Sequence, residues 1–138
     1  MPARDKYHKQ FKAALIKDGW IVTDDPLRIE YGGKKMYVDL GAEEIIAAEK
    51  GGRKIAVEVK SFLGPSDIND LEGALGQFVL YRNVMRKTEP DRQLYLAVPQ
   101  IAFVELFEEP IGRLLIEEEK LLVIVFDPKQ KEIKKWIP

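Results

Sequence analysis

The sequence predicts a single α/β domain in which helices flank a central mixed β-sheet. Its 138 residues are 46% hydrophobic and 33% charged, a composition typical of one globular domain. Apolar residues recur at helical spacing in two stretches, and short segments rich in β-forming residues lie between and after them. We find neither an internal repeat nor a long linker, so residues 1–138 are expected to form one unit.

The composition excludes several classes of site. The chain has no cysteine and one histidine, His8, which rules out disulfide frameworks, thiolate metal sites and multi-histidine metal sites. With 22 basic and 23 acidic residues, the net charge of -1 lacks the strong basic field of non-specific DNA binders. The sequence shows no signal peptide and no apolar run long enough to span a membrane. We therefore expect a cytoplasmic protein.

The first element is expected to be a helix over residues 3–18. Tyr7, Phe11 and Leu15 recur at helical spacing and would share one face. Gly19 follows directly, where a glycine commonly ends a helix.

A run of short strands is expected next. Five segments are rich in β-forming residues, and the pairs Gly32-Gly33 and Gly51-Gly52 mark turns between them. We expect these segments to form consecutive antiparallel strands at residues 20–23, 27–31, 36–40, 44–50 and 53–60.

The second half of the chain begins with a long amphipathic helix, which is expected to start at Ser66 or Asp67 and to end near Lys87. A strand at 93–98 follows, then a helical segment at 100–119 that is interrupted at Pro110. Strands at 121–126 and 132–137 are expected to close the chain as a hairpin.

The strand at 53–60 carries the most informative pattern. Alternation places Ile55, Val57 and Val59 on one face and Ala56, Glu58 and Lys60 on the other. A carboxylate near the end of a central strand is costly unless its charge is compensated. A divalent metal ion or Lys60 could compensate the charge of Glu58. An ordinary alternating strand with an ion pair explains the same pattern.

Asp39 is a second candidate for the same site. It lies among apolar β-forming residues, 19 positions before Glu58, although acidic residues are depleted in strand interiors. Two converging carboxylates beside the ammonium group of Lys60 would supply hard oxygen ligands for Mg²⁺ and a group that orients water. Alternatively, Asp39 caps a turn that leads into Gly41.

Gln77 and Tyr81 are four residues apart on the long helix and so lie on one side of it. Their polar ends could reach a metal site or a phosphate group. Core packing explains a tyrosine at this position equally well.

Asp39, the run Glu58-Val59-Lys60 and a following helix with Gln77 and Tyr81 together resemble the PD-(D/E)XK nuclease superfamily, over about residues 3–98. The resemblance implies a restriction-endonuclease-like fold with an αβββαβ core, here extended by a C-terminal β-hairpin. It also implies that Asp39, Glu58 and the carbonyl group of Val59 bind Mg²⁺ or Mn²⁺ and that Lys60 positions the attacking water. Gln77 and Tyr81 would then support the site or contact the DNA backbone.

The whole chain is similar to the XisH-type fdxN-element excision controlling factors. The similarity is carried by PARDKYH, LIKDGW, YVDLGAE, IAVEVKSFLGPS, LGQFVLYR and LYLAVPQ. It implies action on DNA together with a small partner protein of the XisI type and a site-specific recombinase.

Two functions follow from these resemblances. The first is a DNA-acting excision controlling factor with a Mg²⁺-dependent, endonuclease-like site that hydrolyses phosphodiesters. The second is a catalytically inactive nuclease-fold module that regulates a recombinase by binding DNA or a protein partner. If one site per chain cleaves both strands of a duplex, a twofold homodimer is favoured.

The register of one hairpin decides which acid accompanies Glu58. If Gly51-Gly52 forms a two-residue turn, Glu58 lies opposite Ile45 and Asp39 lies roughly 20 Å further along a straight strand. Two groups so far apart cannot share one ion, so Asp39 requires either an asymmetric hairpin or a sharp bend near Gly41. In a straight strand the nearer carboxylate is Glu43 or Glu44. Asp5 with His8, in the first helix, is a candidate for an additional acid.

Overall fold

The computed structural model describes residues 5–35 and 45–138 of the chain, and for residues 34–35 it describes the backbone only. The predicted strand at 36–40 and the candidate ligands Asp39, Glu43 and Glu44 lie outside the described residues.

The helices and strands follow the expected order. They are α1 (His8–Lys17), β1 (Ile21–Asp24), β2 (Glu30–Tyr31), β3 (Lys34–Lys35), β4 (Ile45–Lys50), β5 (Arg53–Val59), α2 (Asp67–Thr88), β6 (Arg92–Pro99), α3 (Gln100–Ala102), a π-helical segment (Phe103–Phe107), α4 (Pro110–Glu118), β7 (Val123–Asp127) and β8 (Glu132–Ile137).

Six of the strands form one mixed sheet in the order β1-β4-β5-β6-β7-β8. The three central strands β5, β6 and β7 run parallel, and the outer pairs are antiparallel. Because parallel neighbours need a crossover, α2 connects β5 to β6, and the helices between 100 and 118 connect β6 to β7. The expected mixed sheet flanked by helices, with its closing β7–β8 hairpin, is confirmed.

The β4–β5 hairpin has the tight turn that its two glycines predict. Gly51 and Gly52 have φ angles of 56° and 81°, the positive values that a two-residue hairpin turn with the right twist requires. Lys50 consequently pairs with Arg53, and Glu58 lies opposite Ile45.

The expectation of five consecutive antiparallel strands is wrong for the segment at 27–31. Only Glu30–Tyr31 of this segment is a strand, and it pairs with Lys34–Lys35 in a separate two-stranded sheet. Leu27 and Ile29 are buried in the core, and the amide of Leu27 donates to the carbonyl of Ile45. Leu27 and Ile29 belong to the same apolar cluster as the buried residues of α2, and β1 pairs directly with β4.

The starts of the first and the long helix are set by different local contacts. The first helix begins at His8 and not at residue 3, because the Asp5 carboxylate accepts a hydrogen bond from the amide of Tyr7 and holds a turn there. The long helix begins as predicted, with the Ser66 hydroxyl accepting from the amide of Asn69 at 3.2 Å. The interruption at Pro110 is also confirmed, since α4 begins at that residue.

Each face of the sheet is covered by a helical layer. One apolar cluster joins α1, through Phe11 and Leu15, to one face of the sheet. The other cluster joins α2 and the 100–118 helices, through Phe78 and Phe107, to the opposite face. In the ranges 5–35 and 45–138, no helix is long and apolar enough to cross a membrane.

Candidate functional site

Glu58 is a buried carboxylate in an apolar layer. Its residue is 1% exposed, and its neighbours on the adjacent strands are Ile45 in β4 and Leu96 in β6, both buried. Side-chain alternation puts it on the same face as Ala56, which packs in the α2 cluster. Glu58 therefore lies between the sheet and α2, where a charge needs a compensating group.

Lys60 lies one residue beyond the end of β5. Its amide donates to the carbonyl of Ala97 at 3.0 Å, which continues the pairing of β5 with β6 past the last strand residue. Its side chain is half-buried and lines a cavity of about 320 Å³ between this end of the sheet and α2. Lys60 thus places a basic side chain at the edge of the apolar layer that contains Glu58.

Gln77 and Tyr81 face the same layer from α2. Gln77 is half-buried and lines the cavity together with Lys60. Tyr81 is 1% exposed and belongs to the apolar cluster, so its ring packs in the core, as one of the two interpretations of the sequence predicts. The structure therefore places Glu58 in β5 and Lys60 just beyond it, with Gln77 and Tyr81 on the helix that packs over them.

Asp5 connects the N-terminal segment to this site. Its carboxylate accepts a hydrogen bond from the amide of Ser61 at 2.8 Å and another from the amide of Tyr7 at 2.9 Å. Asp5 also lines the cavity. Because Ser61 directly follows Lys60, the carboxylate of Asp5 fixes the backbone beside the candidate catalytic lysine.

His8, considered together with Asp5 from the sequence, belongs to a different cluster. Its Nε2 atom lies 2.7 Å from Oδ1 of Asp25, and the ammonium group of Lys12 lies 2.9 Å from Oδ2 of the same carboxylate. Asp25 and His8 are both buried. This cluster ties α1 to the segment that follows β1.

The loop between β5 and α2 forms one wall of the cavity. Phe62 adopts a left-handed backbone conformation with a φ angle of 57°, which is uncommon for a residue other than glycine. Its ring packs edge-on against Phe107, with centroids 5.6 Å apart. The amide of Gly64 donates to Oδ2 of Asp70 at 2.9 Å. The sequence marks this loop only through Gly64-Pro65, so the anchoring contacts of Phe62 and Asp70 were not predicted.

Two oxygen donors near the end of β5 are of the type that a hard divalent cation prefers. The carboxylate of Glu58 and the carbonyl oxygen of Val59 are oxygen donors on adjacent residues. Within the described ranges there is no group of three or more acidic or histidine side chains that could hold a metal ion. Mg²⁺ is usually bound through one or two carboxylates together with substrate phosphates, so these residues fit Mg²⁺ better than a cation that needs a full protein cage.

Comparisons with known proteins assign the chain to a family. The family model described as XisH protein matches residues 1–134. The crystal structure of an fdxN element excision controlling factor protein from Anabaena variabilis is similar, with a TM-score of 0.88 and 46% identity over 96% of this chain and 98% of that chain. An XisH family protein from Nostoc punctiforme PCC 73102 has a TM-score of 0.89 and 42% identity, over 97% of this chain and 100% of that chain. None of the curated proteins matches. This chain belongs to the XisH family.

Proposed function

We propose that this protein controls the excision of a DNA element and hydrolyses phosphodiester bonds at a Mg²⁺-dependent site formed around Glu58 and Lys60. The observation that carries the proposal is the burial of Glu58 in an apolar layer, two residues before a lysine at the mouth of a cavity. Structural ion pairs are usually found on the surface, whereas buried carboxylates beside a cleft are typical of sites that bind or react.

Each residue has a distinct role in the proposed site. Glu58 and the carbonyl oxygen of Val59 would hold Mg²⁺ or Mn²⁺. Lys60 would position the attacking water, since this residue lines the cavity just beyond the end of β5. Gln77 would contact the DNA backbone from the cavity wall, and Tyr81 would support the site from the core. When bound, the metal ion would lower the pKa of its water and stabilise the developing charge on phosphate oxygens.

The second carboxylate is proposed to come from the residues that precede β4. The observed pairing of Glu58 with Ile45 puts Glu43 and Glu44 next to this end of the hairpin in sequence. Asp39 would supply the second carboxylate if the chain bends back toward β5. A restriction-endonuclease-like core, with the lysine and glutamate on one strand and Gln77 on the next helix, is part of this proposal.

Family membership supports the biological setting. The Anabaena variabilis relative is described as an fdxN element excision controlling factor, and its structure covers nearly the whole chain. We propose DNA as the substrate, with a small partner protein of the XisI type and a site-specific recombinase acting in the same process. Cleavage of both strands of a duplex by one site per chain would favour a twofold homodimer.

A catalytically inactive module is the alternative, and one observation favours it. The net charge is -1, and the described cavity wall carries the carboxylates of Asp5 and Asp70 against the single ammonium group of Lys60. Such a surface attracts phosphate weakly. In this case the same fold would regulate the recombinase through a protein contact or through DNA bound elsewhere.

The test is a nuclease assay on purified protein with supercoiled, branched and single-stranded DNA in Mg²⁺ or Mn²⁺. The wild-type protein is expected to nick DNA, and Glu58→Gln and Lys60→Met are expected to abolish nicking. Glu72→Gln and Lys54→Met change exposed residues away from the cavity, and both variants are expected to retain nicking activity. Absence of cleavage on every substrate, or cleavage that survives Glu58→Gln, contradicts the hydrolytic site and leaves the inactive module.

The same assay identifies the second acid. Asp39→Asn, Glu43→Gln and Glu44→Gln are compared one at a time. One of the three variants is expected to lose cleavage as completely as Glu58→Gln does, because a site with half its carboxylate charge binds the metal ion poorly.

A further inference from the structure

Leu63 is an apolar side chain exposed at the entrance of the candidate site. It is 51% exposed, although its neighbours Ser61 and Phe62 are buried or half-buried. It lines the same cavity as Lys60 and Gln77. Single exposed leucines are common on protein surfaces, so its position beside the lysine is the informative feature.

The loop holds Leu63 in a fixed place. On one side, the carboxylate of Asp5 accepts from the amide of Ser61, and the ring of Phe62 packs against Phe107. On the other side, the amide of Gly64 donates to Asp70. Because the residues on both sides of Leu63 are anchored, its backbone position is already fixed, and binding there needs little further ordering of the loop.

We propose that Leu63 packs against an unstacked base of the substrate and makes the site prefer DNA whose base stacking is already interrupted. This inference rests on the proposed function and adds the substrate class to it. Apolar side chains that enter a base step must separate stacked bases, which costs a few kcal/mol in a continuous duplex. A gap or a single-stranded region has already lost that stacking.

A nucleic-acid contact explains this position better than a protein contact does. Leu63 shares a wall with Lys60 and Gln77, the groups proposed to act on a phosphodiester, so a DNA strand cleaved there must pass beside it. The base attached to the reacting nucleotide would then lie within reach of the loop. The proposed reaction does not require a protein partner to contact Leu63.

The experiment measures kcat/KM in Mg²⁺ on two labelled duplexes that differ only by a one-nucleotide gap. The wild-type protein is expected to prefer the gapped duplex by about tenfold or more, since its stacking cost is removed. Leu63→Ala is expected to lower kcat/KM on the gapped duplex about fivefold, the effect of losing the burial of half a leucine side chain, and to leave the continuous duplex unaffected. Leu63→Met, which keeps an apolar side chain of similar size, is expected to retain the preference for the gapped duplex.

Leu114 provides a matched control. It is a leucine with 50% exposure on α4, outside the cavity wall, and Leu114→Ala is expected to behave as the wild type. The inference would be overturned, while the proposed function stands, if Leu63→Ala lost activity equally on both duplexes or lost none. It would also be overturned if this variant kept its kcat/KM values and changed only the hydrodynamic mass of the protein. If the wild-type protein cleaves neither duplex nor any other DNA, the proposed function and this inference fail together.

Discussion

At the scale of single residues, the informative feature is a carboxylate buried in an apolar layer of the fold. Glu58 lies between Ile45 and Leu96 in the layer under α2 and is 1% exposed. Its place at the end of a central strand could be predicted, because side-chain alternation is local and the residues around it are apolar. The choice among Asp39, Glu43 and Glu44 as a candidate second acid could not be made from the sequence, because it depends on tertiary contacts and not on local alternation.

Gly112 is a second residue whose identity is dictated by its surroundings. A Cβ atom there would lie against the carbonyl oxygen of Leu106 and the Cα atom of Phe107, closer than van der Waals contact. Both are backbone atoms and cannot rotate away. We expect Gly112→Ala to lower the free energy of unfolding by about 1–3 kcal/mol, measured by urea denaturation.

The matched control is Gly76→Ala. Gly76 lies on the exposed side of α2, and a Cβ atom there meets no atom within 4 Å. This change is expected to raise the free energy of unfolding by up to about 1 kcal/mol, because alanine is the better helix former. Equal shifts for the two variants would contradict the proposed crowding at Gly112.

At the scale of secondary-structure elements, local signals predicted turns and missed long-range pairing. The two glycines at 51–52 left a two-residue turn and an asymmetric hairpin open, and the observed β4–β5 register is that of the two-residue turn. The segment at 27–31 also carries β-forming residues, yet it leaves the main sheet. Its burial through Leu27 and Ile29 depends on contacts that no local pattern encodes.

At the other end of β5, Arg53 connects three strands and the residue that precedes β1. Its guanidinium carbon lies 5.5–5.9 Å from the ring centres of Trp20, Tyr95 and Trp136, and it donates to the Tyr95 hydroxyl at 2.6 Å. The sequence shows the two tryptophans but not that one arginine connects them.

We expect Arg53→Ala to lower the free energy of unfolding by about 1–3 kcal/mol, since it removes three cation–π contacts and a hydrogen bond. Urea denaturation measures the change. Lys54→Ala, next along the strand, removes only an exposed pair with Glu49 at 4.0 Å and is expected to change it by less than about 0.5 kcal/mol. Similar effects for the two variants would show that the aromatic contacts of Arg53 are not stabilising.

At the scale of the whole molecule, the two ends of the described chain meet on one face of the sheet. The ammonium group of Lys17 in α1 lies 2.8 Å from the carboxylate of Glu132 in β8. Composition and periodicity predicted the class of the fold, because that class depends on averages over the chain. The contact between α1 and β8 joins residues 115 positions apart and lies beyond such averages.

The pKa of Glu132 is lowered from its usual value of 4.5, chiefly by the hydrogen bond from Lys17 and secondarily by that from Lys134. A lowered pKa stabilises the folded state above pH 4.5, and this contribution is lost as the pH falls through the folded-state pKa. Urea midpoints of the wild type and Glu132→Gln are expected to differ slightly at pH 7 and to converge at low pH. A difference that persists at low pH would show that charge is not its cause. Because the pair is exposed, 1 M salt should also reduce the difference.

The most direct test of the account is calorimetric titration of Mn²⁺ into the purified protein. The account predicts saturable heat for the wild type, loss of that heat with Glu58→Gln, and its retention with Lys60→Met, because the lysine orients water and does not bind the metal. Binding that is unchanged by Glu58→Gln, or no binding by the wild type, would contradict a metal-dependent site at the end of β5.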